Sequence, residues 1–183
     1  MSLKHKFKNP DGIYFVTFAV IGWIDVFTRD VYRTIFVDSL NWSVRNKGLV
    51  IYAWVLMTNH VHLIVSSKGE KKLEEIFRDI KKFTCVKIID EIKKNASESR
   101  KDWMLKIFKE KGHGNSQNEY NQFWQHGNHP IELYNNQMIE QKLEYLHNNP
   151  VEHGFTNNME NYNWSSAIDY SGILGYVEIE KLI

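Results

Sequence analysis

Several features that would narrow the class of a protein are scarce in this sequence of 183 residues. A single cysteine, Cys85, excludes an internal disulfide framework and a zinc site built on cysteines. No apolar run reaches the length of about 18 residues that a membrane-spanning helix needs. The first lysines are not followed by an unbroken apolar stretch, so we expect no signal peptide and a cytoplasmic location.

An overall excess of one charge is also lacking, because the formal net charge is only +1. The charges are unevenly distributed, with a net +3 over residues 1–67, +5 over residues 68–111 and −7 over residues 112–183. This pattern does not indicate a strongly basic duplex-DNA binder. Residues 68–111 are either a local basic surface for nucleic acid or a solvated helix of mixed charge.

Aromatic residues, by contrast, are abundant and make up 14% of the chain. Together with a hydrophobic content of 43%, they are enough to bury a core, which excludes a disordered protein. The length and the lack of internal repeats favour a single domain over residues 1–183, with a core at about 12–170.

Hydrophobic periodicity predicts alternating strands and helices along the chain. Strands are predicted at Gly12–Gly22, Leu49–Met57 and His60–Ser66, with a possible short fourth strand at Phe123–Trp124. Helices are predicted at Asp30–Lys47, Lys71–Lys94 and Asn135–Asn148, the last of them ended by Asn149-Pro150. The polar segment 95–121 is predicted to be a flexible insertion with a short helical patch at Trp103–Phe108.

The order strand, helix, strand, strand, helix, strand, helix is typical of an α+β fold with a ferredoxin-like, split βαβ plan that is also RRM-like. Such a fold has an antiparallel sheet with two helices on one face. The third predicted helix, near the C-terminus, is additional to this plan. The second face of the sheet is available for binding or catalysis.

Two histidines stand at the start of the third predicted strand, in Asn59-His60-Val61-His62. Side chains two residues apart in a strand point to the same face, so His60 and His62 are predicted to lie side by side. A pair of imidazoles is a potential metal-binding pair. The alternative is a pair of structural histidines, each satisfied by a hydrogen bond.

In the last predicted helix, Tyr145 and Asn149 are four residues apart and therefore project a phenol and an amide in the same direction. Lys142 lies on the same stripe, beside an apolar face that would bury the helix. Taken alone, a tyrosine at the margin of a core is an ordinary structural residue.

Taken together, these segments resemble the REP-associated tyrosine transposases of the IS200-like, single-tyrosine HUH superfamily, in which HUH denotes His, a bulky hydrophobe and His. The resemblance rests mainly on YAWVLMTNHVHLIV (52–65) and EYLHNNPVEHG (144–154). Trp164-Ser165-Ser166, Phe123-Trp124-Gln125 and His129-Pro130 also look like elements of relatives. The resemblance extends from about Ile13 to Tyr170.

The resemblance implies an enzyme that cleaves and rejoins single-stranded DNA carrying hairpin or palindromic elements. His60, His62 and Asn149 would bind a divalent metal, Mg²⁺ or Mn²⁺. Tyr145 would be the nucleophile and would form a 5′-phosphotyrosine intermediate. Some relatives work as homodimers that exchange the tyrosine helix, so a homodimer is a further expectation, and the sequence leaves both the metal and the oligomeric state open.

Four lysines are candidates for contact with DNA. Lys142 lies on the stripe of Tyr145, and Lys81, Lys82 and Lys87 lie on the second predicted helix. His147 and His153 lie near this stripe in the sequence but are predicted to point off it, and His113, His126 and His129 lie in predicted loops and are assigned no chemistry.

Three other functions are alternatives to this enzyme. A domesticated DNA-hairpin-binding protein with weak catalysis would keep the same site residues. An RRM-like RNA-binding module would need the stacking aromatic pattern of such domains, which residues 48–56 lack. A zinc hydrolase would need a third histidine or an acidic ligand at a fixed short spacing from His60 and His62, and there is none.

Overall fold

The computed structural model describes residues 7–112 and 121–182. Its strands are β1 (Tyr14–Ala19), β2 (Leu49–Leu56), β3 (His60–Ser67) and β4 (Ile131–Glu132). Its helices are α1 (Asp30–Lys47), α2 (Leu73–Lys94), α3 (Lys101–Gly112), α4 (Asn136–Glu152) and the single turn α5 (Ala167–Tyr170). No helix among these described residues is long and apolar enough to cross a membrane.

The four strands form one antiparallel sheet in the order β2-β3-β1-β4, which confirms the predicted α+β class. β1 and β3 occupy the interior of the sheet, and their register sets Thr17 opposite His62. The β-branched and aromatic residues of β1 and β3 suit these positions, because both faces of the sheet are covered.

The strict alternation of side chains in β1 and β3 divides the core into two layers. One layer lies between the sheet and the helices α1 and α2, and includes Phe18 and Val61. The other lies between the sheet and α4, and includes Phe15, Ile64 and Leu146. The helix that carries Tyr145 therefore packs on the face of the sheet that also carries His60 and His62.

The fourth strand is not where the sequence predicted it. Phe123 and Trp124 are buried, but Trp124 makes only an isolated bridge with Val20, beyond the end of β1. The strand that completes the sheet is the two-residue β4. The aromatic pair belongs to the core, where the indole Nε1 of Trp124 donates to Thr84 Oγ1 at 3.0 Å.

The predicted end of the last helix at Asn148 is also wrong, because α4 continues through Pro150 to Glu152. Proline lacks an N–H and so removes one helical hydrogen bond, but this is tolerable in the last turn of a helix. Beyond it the ladder resumes, with the N–H of His153 bound to the carbonyl of Asn149 at 3.1 Å. At the other end, Asn135 caps the helix by accepting from the N–H of Met138 at 2.8 Å.

Within the predicted insertion, the helical patch at Trp103–Phe108 is confirmed and is part of the longer helix α3. Met104 and Phe108 are buried, so α3 packs against the core that α1 and α2 cover. Residues 113–120 of that insertion lie outside the described residues, and its predicted flexibility stays a prediction.

The outer edge of β2 is covered by the C-terminal part of the chain, which removes an exposed sheet edge. The N–H of Leu56 donates to the carbonyl of Trp164, and the N–H of Ser166 donates to the carbonyl of Trp54. Ser166 Oγ also accepts from the N–H of Trp54 at 2.9 Å and meets His147 Nε2 at 2.8 Å. The Trp164-Ser165-Ser166 element therefore has a structural role, and His147 supports it through the contact with Ser166.

A buried carboxylate joins the loop before α1 to the segment before α3. Glu98 is 3% exposed and accepts from Arg100 Nε at 2.9 Å and from Arg29 Nε at 2.8 Å. These hydrogen bonds, that of Arg100 above all, hold the pKa of Glu98 at about 2, against the effect of burial. Because this pKa is depressed, the carboxylate contributes its full stabilisation at pH values above 4.5, its ordinary pKa. The stabilisation is lost as the pH falls from 4.5 towards 2.

We therefore expect Glu98→Gln to lower the free energy of unfolding at pH 7 by about 2 kcal/mol, since two arginines lose their charge partner. The difference from the parent protein should shrink as the pH falls from 4.5 towards 2. Urea unfolding at several pH values measures this. Glu110→Gln, which removes an exposed pair with Lys106, is the control and should have almost no effect. An effect of Glu98→Gln that is equally small would contradict the assigned role.

Candidate active site

His60 and His62 are the first and third residues of β3 and point to the same face of the sheet, as predicted from their spacing. Their ring centroids are 4.8 Å apart. The turn at Thr58–Asn59 starts the strand at His60, so that the pair stands at the end of the sheet and not in its middle. His62 is buried and His60 is half-buried.

Each imidazole is oriented through its Nδ1 atom. His60 Nδ1 lies 2.7 Å from Asn59 Oδ1, and His62 Nδ1 lies 2.8 Å from Thr17 Oγ1. An amide oxygen only accepts, so His60 donates from Nδ1 and its Nε2 carries the lone pair when the ring is neutral. Among the described residues no hydrogen bond of normal geometry involves Nε2 of either histidine, although the side chain of Asn149 acts on His60 as a hydrogen-bond partner. An Nδ1 held by a neighbour and an Nε2 without such a bond form the usual arrangement of a metal-binding histidine.

Both histidines are held in the neutral form. Burial, together with the nearby His153, lowers the pKa of His60 to about 4. Burial is also the main cause for His62, and the charges of His60 and Lys142 add to it, so that the pKa of His62 is lowered to about 3. A neutral imidazole is the form that binds a metal ion.

Helix α4 brings Tyr145 against this pair from the same chain. The ring centroid of Tyr145 lies 5.5 Å from that of His62 and 6.0 Å from that of Phe15. Its side chain is 41% exposed, so the phenol faces both the histidines and solvent. Lys142 lies one turn earlier, with its Nζ 5.2 Å from the centroid of the Tyr145 ring and 4.8 Å from that of Phe15.

Asn149, one turn after Tyr145, is 1% exposed and lies next to His60. Its side chain acts on His60 as a hydrogen-bond partner and raises the pKa of His60, against the larger effect of burial, which lowers it. Nevertheless, Asn149 Oδ1 has no hydrogen-bond partner of normal geometry among the described residues. A buried amide oxygen without a partner costs stability unless something else binds it, and a divalent cation would do so.

Two imidazoles and this amide oxygen form a donor set that fits a metal such as Mn²⁺ with positions left for a substrate. No group of three or more His, Cys, Asp or Glu side chains with the geometry of a metal site occurs in the described part of the chain. The two histidines are therefore not part of such a group, and Asn149 is a side chain of another type beside them.

Two residues that the sequence did not assign also lie at this place. The ring of His153 is centred 6.3 Å from that of His60, and its Nδ1 lies 2.9 Å from the carbonyl oxygen of Asn149. The sequence predicted that His153 points off the stripe of Tyr145, and in the structure it lies near His60, because α4 continues past Pro150 and places His153 one turn beyond Asn149. Its spacing of four from Asn149 was the signal that could have located it. Trp23, the second residue, contacts His60 with its indole.

The lysines of α2 are not brought to this place. Lys81 lies on the opposite face of the sheet, with its Nζ 4.6 Å from the centroid of Phe18 and hydrogen-bonded to the carbonyl oxygens of Gln125 and Gly127. Burial lowers its pKa to about 8. Lys82 and Lys87 are exposed on the same helix. Of the four lysines, only Lys142 is near the histidines, and contact of the other three with DNA stays a prediction.

Comparison with known proteins identifies the family. A family model described as "Transposase IS200 like" matches residues 14–109, which is more than half of the chain and includes the histidine pair. The chain belongs to the IS200-like transposase family. The resemblance inferred from the sequence is thereby confirmed, although Tyr145 and Asn149 lie beyond the matched residues of this transposase.

Among solved structures, this transposase is similar to a REP-associated tyrosine transposase bound to a REP hairpin. The match has a TM-score of 0.68 and 16% sequence identity, and it covers 100% of this chain and 94% of the other. At that identity it establishes a shared fold. A protein of Deinococcus radiodurans described as a presumed transposase matches with a TM-score of 0.44, 15% identity, and coverage of 81% of this chain and 95% of the other. No protein of curated function matches the sequence.

Proposed function

We propose that this transposase is a metal-dependent single-stranded DNA endonuclease and strand transferase. It would cleave DNA at hairpin-associated sites through a 5′-phosphotyrosine intermediate on Tyr145. The observation that carries the proposal is the approach of the Tyr145 ring to 5.5 Å from the ring of His62 within one chain. A composite site built from two subunits is therefore not required, and the predicted homodimer stays a prediction.

His60 and His62, through Nε2, and Asn149, through Oδ1, would hold the divalent ion, Mg²⁺ or Mn²⁺. When bound, the ion supplies Lewis-acid polarisation of a phosphate oxygen and neutralises the charge that develops there. Imidazole ligands suit Mn²⁺ better than Mg²⁺, which prefers oxygen.

Tyr145 would attack the scissile phosphorus with its phenolic oxygen. A bond from the tyrosine oxygen to phosphorus forms while the bond from phosphorus to the 3′ oxygen breaks. The phenolic proton passes to solvent, and the departing 3′ oxygen takes up a proton to become a free 3′-OH. The phosphodiester is exchanged for a phosphotyrosyl ester, so no nucleotide cofactor is consumed, and attack by a 3′-OH reverses the step to rejoin DNA.

Lys142 would stabilise the phosphate. Its ammonium group lies 5.2 Å from the centroid of the Tyr145 ring, so it would place a positive charge near the phosphate that Tyr145 attacks. A phenol is a weak nucleophile at neutral pH, so stabilisation of the charge that develops on the phosphate is needed. The exposed position of Tyr145 leaves room for a strand of DNA beside it.

The proposed substrate is single-stranded DNA with a hairpin. The solved relative is bound to a REP hairpin, and this chain matches its fold from end to end. The net charge is +8 over residues 1–111 and −7 over residues 112–183. DNA would therefore be held by a local basic surface and not by the charge of the whole protein. An enzyme of this kind would act in the cytoplasm.

Incubation with labelled hairpin oligonucleotides and MnCl₂ tests the proposal. A label on the 3′ side of the cleavage site should become attached to the protein on a denaturing gel, and a label on the 5′ side should be released. A chelator should prevent both. Hairpin binding with no adduct in any divalent metal would instead favour the alternative, a domesticated hairpin-binding protein with weak catalysis.

Asn149→Leu separates metal binding from stability. Leucine keeps the branching of the asparagine side chain without a buried amide oxygen but is larger, so we expect the free energy of unfolding without metal to stay within about 1–3 kcal/mol of the parent value. The stabilisation by MnCl₂ should be largely lost, because ligand-induced stabilisation depends on affinity. Thermal unfolding with and without MnCl₂ measures both. Asn148→Leu, on the neighbouring half-buried residue, should keep the metal effect, and equal stabilisation of the two variants by MnCl₂ would exclude Asn149 as a ligand.

A further inference from the structure

A strained turn follows β1 and ends next to the histidine pair. Gly22 and Trp23 have φ angles of +65° and +55°, in the left-handed region. Glycine adopts this conformation freely, but for a bulky residue such as tryptophan it is a strained outlier. Such strain persists only where the surrounding structure imposes it, and it is concentrated at functional sites.

Asn59 couples this turn to His60. Its Nδ2 donates to the carbonyl oxygen of Trp23 at 3.3 Å and to Asp25 Oδ1 at 3.0 Å, while its Oδ1 accepts from His60 Nδ1 at 2.7 Å. Thr58 Oγ1 also donates to Asp25 Oδ1, at 2.6 Å. One amide therefore fixes both the backbone of Trp23 and the orientation of the His60 ring.

The indole that this turn presents is not part of the core. Trp23 is 57% exposed, and its one aromatic contact among the described residues is with His60, whose ring is centred 6.0 Å away at an interplanar angle of 72°. Only an edge-to-face contact is made, so much of the indole surface remains open to solvent. A large apolar surface held rigidly in solvent beside a polar site is typical of a ligand-binding position.

We infer that Trp23 stacks on a nucleobase of the DNA strand and thereby positions the nucleotide next to the scissile phosphate. The inference rests on the proposed function, because it takes the phosphate to lie at His60, His62 and Tyr145. Indole rings bind single-stranded nucleic acid by stacking with any base, since every base has a π face. Because the backbone of Trp23 is fixed through Asn59 to a histidine of the site, a base on the indole is held in a defined place relative to the phosphate.

The affinity for two oligonucleotides tests this inference without any chemistry. The parent for the comparison carries Tyr145→Phe and is measured without added metal, so that cleavage plays no part. The probes are a fluorescein-labelled oligothymidylate of twelve nucleotides and an abasic oligomer of the same length. Trp23→Ala should weaken binding of the oligothymidylate by about 5- to 100-fold and leave binding of the abasic oligomer unchanged. Trp23→Phe should retain most of the affinity.

Two further variants exclude a trivial loss of fold. Trp23→Gly removes the indole and also relieves the strained φ, so it should be at least as stable as the parent but bind as weakly as Trp23→Ala. Trp103→Ala, which removes a 45% exposed indole on α3, should not change binding. The inference is overturned if Trp23→Ala weakens both oligomers equally or neither, or if the parent does not prefer the base-bearing oligomer, including when it binds neither. Adduct formation is measured separately, so either proposal can fail alone.

Discussion

Replacing Tyr145 with phenylalanine should abolish covalent attachment of the protein to a hairpin-bearing oligonucleotide. The substitution removes only the phenolic oxygen, which is the proposed nucleophile, and a phenylalanine side chain has no group that can form a phosphoester. We expect the yield of adduct to fall by at least about 10³-fold. The fold should be unaffected, because the contacts of Tyr145 with His62 and Phe15 are made by its ring, which phenylalanine keeps.

Tyr134→Phe is the matched control for this change. Tyr134 precedes α4 and is 77% exposed, so its substitution removes the same atom from a more accessible residue. Adduct formation should be retained in full. Retained adduct formation in Tyr145→Phe would show that another residue is the nucleophile, and loss of the adduct in Tyr134→Phe would point to that tyrosine.

The second large effect is expected for His62→Ala. The variant loses an imidazole of the proposed metal site and leaves Thr17 Oγ1 without its partner. We expect Mn²⁺ affinity to fall by at least about 10-fold and the yield of adduct by at least about 100-fold, which corresponds to the several kcal/mol that a Lewis acid contributes. Titration calorimetry with MnCl₂ and the adduct assay measure the two effects.

His147→Asn is the control that separates metal binding from stability. His147 is also buried, and burial also lowers its pKa, to about 4, but it lies in the structural contact with Ser166. This variant should be destabilised by about 1–3 kcal/mol and still bind Mn²⁺ as the parent does. If His62→Ala and His147→Asn change Mn²⁺ affinity equally, the histidine pair is structural.

The elements with strong periodicity were predictable from the sequence. α1 is predicted at its observed bounds, and β2, β3 and α2 are predicted to within two residues at each end. These segments have long buried faces, so a single hydrophobic pattern determines each of them. β4 could not be found in this way, because it has two residues, of which Ile131 is 39% exposed.

The parts of the site that the geometry of a single strand or helix determines were also predictable. His60 and His62 share one face because of the period of two, and Tyr145 and Asn149 share a side of α4 because they are four residues apart. The approach of α4 to the histidines depends on packing between segments distant in the sequence, which periodicity does not give. His153 could not be placed because Pro150 predicts the end of the helix before it, and Trp23 could not be placed because its contact with His60 joins segments distant in the sequence.

If Tyr145 is the nucleophile, it becomes covalently joined to DNA, and peptide mapping by mass spectrometry detects this bond. The protein is incubated with a hairpin oligonucleotide and MnCl₂, digested with nuclease and trypsin, and searched for peptides that carry a nucleotide. We expect one modified peptide, with the phosphoester on Tyr145. A nucleotide on any other residue, or strand cleavage with no modified peptide, would contradict it.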